Sequence, residues 1–255
     1  LVNENGVWYM KGLSSRDPSR IKTWEELVGR VDELGFIPLF SGEVEGFSVE
    51  EMVSPDYWWT GDRQRDPWEW REIVAASHRA AYGKFFGKKA GFISLKWLPV
   101  FANHRREGYD WDSAWEDGRL TRREKLIMDV VTDKSPDGEI LWTDKQILST
   151  ELKQLAGFGK GGEKNFPGIT TDLMMKLYLV TSDFRRRRNK NGNEYGMAVS
   201  VLTPPEAIWG YEAVTEAYGE TPTESWQRIV SRVQELFPNA QNSDILGLVG
   251  KAPKE

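Results

Sequence analysis

The spacing of apolar and polar residues gives mixed signals in the first half of the chain and a clear order of elements in the second. TWEELVGRVDELG (23–35) predicts an amphipathic helix, with Thr23 as N-cap, Glu26 in the capping-box position and Gly35 as the stop. FIPLF (36–40) is a short apolar run broken by Pro38, an edge strand or an irregular piece. Ser48 to Val53 predicts a turn of helix. SPDYWWTGDRQRDPWEWREIVAASH is a polar, aromatic loop running into a helix, with Asp66 at the N-cap, Pro67 at N1 and Glu69 at N3. A hairpin around Gly87-Lys88-Lys89 and a helix in KWLPVFANHRRE follow. The polar, weakly periodic stretch 106–119 is the expected boundary.

Beyond it, TRREKLIMDVVTD predicts a helix with Leu126, Ile127, Val130 and Val131 on one face. WTDKQILSTELKQLAG predicts a second helix, capped by Thr143 or Asp144 and ended by Gly157. ITTDLMMKLYLV predicts a third, capped by Thr170 or Thr171, with Leu173, Met174 and Leu177 apolar. VTSDFRRRRNKNGNEYGMAVSV predicts a β-hairpin, because Asn191-Gly192 between β-prone runs is a strong turn signal. Pro204-Pro205 opens another helix, and TESWQRIVSRVQELF is a last amphipathic one.

Three helices followed by a two-stranded hairpin is the order of a winged helix-turn-helix. Its expected apolar cluster holds Leu126, Val130, Leu148, Leu152, Leu173 and Leu177. The expected fold class is mainly α with small β-hairpins (α+β), with the winged helix-turn-helix in the second half. The expected parts are a Trp-rich helical part with a hairpin over 1–115, a winged-helix module over 116–205, and C-terminal helices and tail over 206–255.

Charge changes this picture more than composition does. The net charge of −5 by itself disfavours a nucleic-acid partner. From Lys153 to Lys190, however, nine Lys/Arg stand against Glu163, Asp172 and Asp183, a local +6 that leaves −11 on the rest. One basic segment in an acidic chain is a directional surface, able to bind a polyanion that the average would repel. Arg185, Arg186, Arg187 and Arg188, with Lys190, fit a wing that lies along phosphates; a solvated charged face is the alternative.

Ten of the 12 tryptophans precede residue 143, which points to a heavily packed core, a stacking pocket, or both. Four of them, with carboxylates and three arginines, crowd YWWTGDRQRDPWEWRE (57–72). Trp58 and Trp59 are candidates to stack a base, and Asp62, Asp66 and Glu69 candidates to position a water; core anchors with local ion pairs are the alternative. GFGKGG (157–162) matches a dinucleotide-binding spacing but follows a helix instead of a strand, so a linker is the stronger reading, with Lys160 and Lys164 placed to touch a phosphate backbone. There is no cysteine, hence no disulfide or thiolate chemistry. With His78 and His104 the only histidines, neither a metal nor another cofactor is expected. No apolar run approaches the roughly 18 residues of a spanning helix, and the opening residues lack a signal-peptide pattern. The expected setting is cytoplasmic, with duplex DNA or another nucleic acid as partner and no membrane.

LGFIPLF, RDPWEWRE, YGKFFGKKAGFISLKWLPVF, GFGKGGEKNF and DFRRRRNKNGNEYGMAV resemble the uncharacterised relatives of the AlkZ-like (YcaQ-type) winged-helix DNA glycosylases, over most of residues 23–235. The resemblance implies winged-helix modules on a helical scaffold with a β-rich element, and a place in DNA repair. Active members excise alkylated or crosslinked bases and carry a Gln-x-Gln or Gln-x-Asp element after an N-terminal helix. The matching context here is Leu34-Gly35-Phe36-Ile37, followed by Pro38-Leu39-Phe40, so neither catalytic polar residue is present. The expected function is therefore a winged-helix nucleic-acid-binding protein without that catalytic element. An active glycosylase or nucleotide hydrolase using the 57–72 loop is one alternative, and a protein-interaction module another.

Overall fold

A computed structural model describes residues 2–4 and 6–253. A short hairpin, β1 (Val2–Glu4) with β2 (Val7–Tyr9), precedes α1 (Trp24–Leu34), whose N-cap Thr23 accepts from the Glu26 amide. Leu27, Val28, Val31 and Leu34 are its buried stripe, and Gly35 ends it at φ +96°. A Cβ on Gly35 would sit 2.6 Å from the Trp97 ring, so this stop requires glycine for space as well as for conformation. β3 (Phe36–Pro38) is indeed an edge strand, where a proline costs no ladder donor. α2 (Val49–Met52) is capped by Ser48, and α3 (Pro67–Ser77) by Asp66 with Pro67 in its first turn. β4 (Ala80–Phe86) and β5 (Lys89–Ser94) join through Gly87-Lys88, both at positive φ, the conformation of a two-residue type I′ turn.

α4 (Leu98–Arg106) and α5 (Trp111–Glu116) lead to α6 (Arg122–Val131), β6 (Asp133–Lys134), β7 (Ile140–Leu141), β8 (Ile147–Leu148), α7 (Ser149–Leu155) and α8 (Phe166–Met175). β9 (Val180–Arg188) and β10 (Glu194–Thr203) form the basic hairpin; α9 (Pro205–Trp209), α10 (Tyr211–Thr215), α11 (Pro222–Leu236) and α12 (Asn242–Val249) close the chain.

The hairpins are not separate small units. β3-β5-β4-β9-β10-β8 form one six-stranded antiparallel sheet, in which Tyr82 of β4 faces Thr181 of β9. The fold is therefore a mixed α+β one, and the sheet continues across the boundary expected near residue 115. That stretch is itself anchored, since Trp111 is buried in α5. Phe36, Phe47, Phe86 and Phe101 pack ring to ring under this sheet at centroid separations of 4.8–6.2 Å.

Several local expectations are corrected. α6 buries Glu124, Ile127, Met128 and Val131, not Leu126 and Val130, which are half-buried. The second helix starts at Ser149, not after Thr143 or Asp144, because Ile147 and Leu148 pair with Leu202 and Val201 as a strand. The third begins at Phe166; Thr170 and Thr171 lie inside it, their hydroxyls bonded back to the carbonyls of Phe166 and Pro167. Leu152, Leu173 and Leu177 are buried, Leu148 half-buried.

Candidate nucleic-acid interface

The basic hairpin turns through Lys190-Asn191-Gly192. The Gly192 amide donates to the Asn189 carbonyl at 2.9 Å, and Asn189 pairs with Asn193. Gly192 takes φ +82°, so this is a three-residue loop, not a tight two-residue Asn-Gly turn. The Asn189 side-chain oxygen holds it by accepting from the amides of Asn191 and Asn193. On β10 the register slips between Tyr195 and Val199, a bulge that contains Gly196 and the exposed Met197.

All four arginines are exposed and line one cleft of about 1340 Å³ between α3 and the hairpin. Opposite them stand Arg63, Trp68, Glu69, Arg71 and Glu72; Ser149 and Glu151 of α7 form one end. Arg185 is held by Asp183 at 2.7 Å and by the Gln146 side chain, and Arg188 lies 3.5 Å from Glu194. Arg186 and Arg187 make no ion pair within 4 Å among the described residues; Arg186 acts on the Glu72 carboxylate from farther off, and Arg187 covers the Tyr195 ring at 5.3 Å.

The floor is a stack. The buried Arg71 guanidinium lies 3.9 Å from the Trp68 ring centre and 4.3 Å from that of Phe184, clamped between α3 and β9. Arg71 also donates to Glu72 at 2.9 Å, while its Nε is buried without a partner. Glu69 lies 3.8 Å from Arg63. Burial raises the Glu72 carboxyl above its ordinary value; Arg71, and more weakly Arg63 and Arg186, oppose that shift, and Glu69 reinforces it.

The three carboxylates singled out in the loop thus have different surroundings. Asp66 is fully buried, its carboxylate accepting from the amides of Trp59 (3.1 Å), Gly61 (2.9 Å) and Trp68 (2.8 Å). That role is architectural: it ties the aromatic loop to the start of α3. Asp66→Ala leaves three backbone donors without their acceptor, and denaturant unfolding is expected to show a loss of about 1–3 kcal/mol. Asp62 is exposed and closes a turn onto the Gln64 amide at 2.9 Å. Only Glu69 of the three lines the cleft.

Trp58 is buried against Phe40 and Trp59, so its faces are covered, whereas Trp59 is 52% exposed and Trp68 borders the cleft. Lys160 and Lys164 are exposed on the α7–α8 loop, outside the cleft lining. That loop is ordered by Gly159–Glu163 and Glu163–Gly157 backbone bonds, and Arg122 and Arg123 both hold the Glu163 carboxylate. Sequence reasoning passed over Trp68, Arg71, Glu72 and Phe184. WEWRE carries a signal for three of them, since positions three and four apart on a helix share a face. Which face meets the hairpin depends on how α3 packs on β9. Among the described residues no group of three or more His, Asp or Glu could hold a metal ion, and no helix is long and apolar enough to cross a membrane.

No curated protein and no solved structure matches the chain. A model of one family, described as AlkZ related, matches residues 21–250, a span that includes the aromatic loop, the cleft and the basic hairpin. The chain belongs to the AlkZ-related family.

Proposed function

We propose that the cleft between α3 and the β9–β10 hairpin binds the sugar-phosphate backbone of nucleic acid, duplex DNA first of all. The observation that carries this is the convergence of six guanidinium groups on one cleft, two of them, Arg186 and Arg187, in no ion pair within 4 Å among the described residues. Guanidinium is suited to phosphate, and a row of exposed arginines on a projecting hairpin meets several phosphates at once. Family membership supports a DNA-repair setting.

Residues 122–203 are read as a winged-helix unit. The order α6, β6, β7, β8, α7, α8, β9, β10, with β8 beside β10, supports it. In this unit the third helix, α8, packs against β4: Lys84 reaches Thr171 and Met174, and six of its ten residues are buried. The wing is therefore the contacting element, and Lys160 and Lys164 serve as flanking phosphate contacts. Titrating a labelled duplex with the protein should give saturable binding that weakens as salt rises. Absence of binding at roughly 50 mM salt would defeat the proposal.

A second reading is hydrolysis of a glycosidic bond, favoured by Glu69 and Glu72 one turn apart in the same cleft and by the raised Glu72 carboxyl. The binding reading is preferred because Pro38, where the family's catalytic element falls, lies in β3, and Phe40 packs on Trp58 and Trp68. Neither side chain can orient water, and general-base help of roughly 10²–10⁴-fold would be absent. Excess protein incubated with alkylated duplex, then treated with alkali, is expected to give no strand breaks above the spontaneous rate. Breaks that disappear in Glu72→Gln would establish the second reading.

A further inference from the structure

A second cleft, of about 1040 Å³, lies away from the basic hairpin, where α4, α6 and α8 meet the residues after α12. Its three carboxylates are each matched by a cation. Lys88 holds Asp172 at 2.8 Å, Lys176 holds Glu124 at 2.6 Å, and Arg119 holds Glu107. Two cations of the lining, Arg105 and Lys251, remain without a carboxylate among the described residues.

Arg105 is the telling one. It is half-buried, packed over the Phe101 ring, and bonded only to the carbonyls of Met175 (2.9 Å) and Val249 (3.4 Å) and, weakly, to the Met175 sulfur. Met175 and Val249 are the last residues of α8 and α12, so helix C-termini offer it partial negative charge only. Withdrawal from water lowers Arg105 to about 10, with no neighbouring charge to offset it. Beside it His104 lines the same cleft at 6% exposure, with its Nδ1 lacking any hydrogen-bond partner. Burial and the Arg105 charge push the His104 imidazole down to about 4, so it stays neutral and adds no second charge. A guanidinium without a counter-charge in a cleft wall is costly, and a bound anion would answer it.

We propose that this cleft is a phosphate site, in which Arg105 binds the anion's oxygens and Lys251 closes the rim. Its ligand is a phosphate group, either free or at the terminus of a nucleic-acid strand. The site is separate from the hairpin cleft, so it stands or falls independently of duplex binding there.

The test is calorimetric titration with inorganic phosphate, and in parallel with a 5′-phosphorylated trinucleotide and its unphosphorylated form. The wild type should bind phosphate with a Kd below about 1 mM. Lys251→Ala, a rim change that leaves the fold intact, should weaken that binding at least about threefold, and Arg105→Gln at least about tenfold. Tighter binding of the phosphorylated trinucleotide than of phosphate identifies a strand terminus as the ligand; equal binding identifies a free phosphate. No saturable binding by the wild type, or equal binding by wild type and Lys251→Ala, would overturn the proposal. Duplex affinity, measured on the same Lys251→Ala sample, is expected to be unchanged.

Discussion

Arg106→Met is expected to lower the unfolding free energy by about 3–5 kcal/mol, because it leaves a carboxylate buried with no counter-charge. Arg106 and Glu206 have side chains 0% and 1% exposed, and they bridge α4 to the start of α9. The same guanidinium donates to the Leu177 carbonyl beyond α8, reaches the Tyr218 hydroxyl at 3.4 Å and lies 4.8 Å from the Tyr178 ring centre. It thus joins the end of α8, the approach to β9 and the C-terminal helices. Neither Arg106 Nε nor Glu206 Oε2 has another hydrogen-bond partner, so Arg106 supplies the charge pairing of this carboxylate. For a chain of this size the loss corresponds to roughly 6–20 °C in Tm. The double variant Arg106→Met/Glu206→Leu should recover most of it, since two apolar groups of similar volume need no pairing. A Tm drop in the double variant as large as in the single one would show that packing, not the unpaired charge, carries the effect.

The second large effect concerns binding. Arg186→Ala/Arg187→Ala removes the two hairpin arginines that make no ion pair within 4 Å, so the folded protein loses only the longer-range pull of Arg186 on Glu72 and the Arg187–Tyr195 contact. Both lie on exposed strand positions, and thermal stability should stay within about 0.5 kcal/mol of the wild type. Charge-assisted hydrogen bonds contribute about 1.5–3 kcal/mol, so duplex affinity should fall by at least about tenfold per arginine. The fall should be the same for unrelated duplex sequences, because phosphate contacts carry no base information. Unchanged affinity would return the four arginines to a solvated hairpin face.

How much of this was legible in the sequence depended on whether the signal was local. Thr23 and Asp66 fall at the caps they were expected to occupy, because capping is decided within four residues. Both hairpins were found for the same reason. The joining of the two hairpins into one sheet was not visible, since it rests on the pairing of Tyr82 with Thr181, 99 residues apart. Local patterning also misassigned Ile147 and Leu148: two apolar residues ahead of a helix read as its first turn, yet β10 pairs with them as a strand. The cleft was half legible. Four consecutive arginines announce themselves, but Arg71 does not. Its place between Trp68 and Phe184 depends on a contact with a residue 113 positions further along the chain. Trp58 shows the limit of composition, because nothing in YWWTG says which of two adjacent tryptophans is buried.

The most direct test of the central claim is the slope of log affinity against log salt for duplex DNA, measured for the wild type and for Arg186→Ala/Arg187→Ala. Each phosphate neutralised contributes about −0.9 to the slope. A wing lying along the backbone predicts a steep wild-type slope that becomes shallower by about 1.8 in the double variant. A wild-type slope near zero, or one identical in the two proteins, would contradict the assignment of the hairpin cleft to nucleic acid.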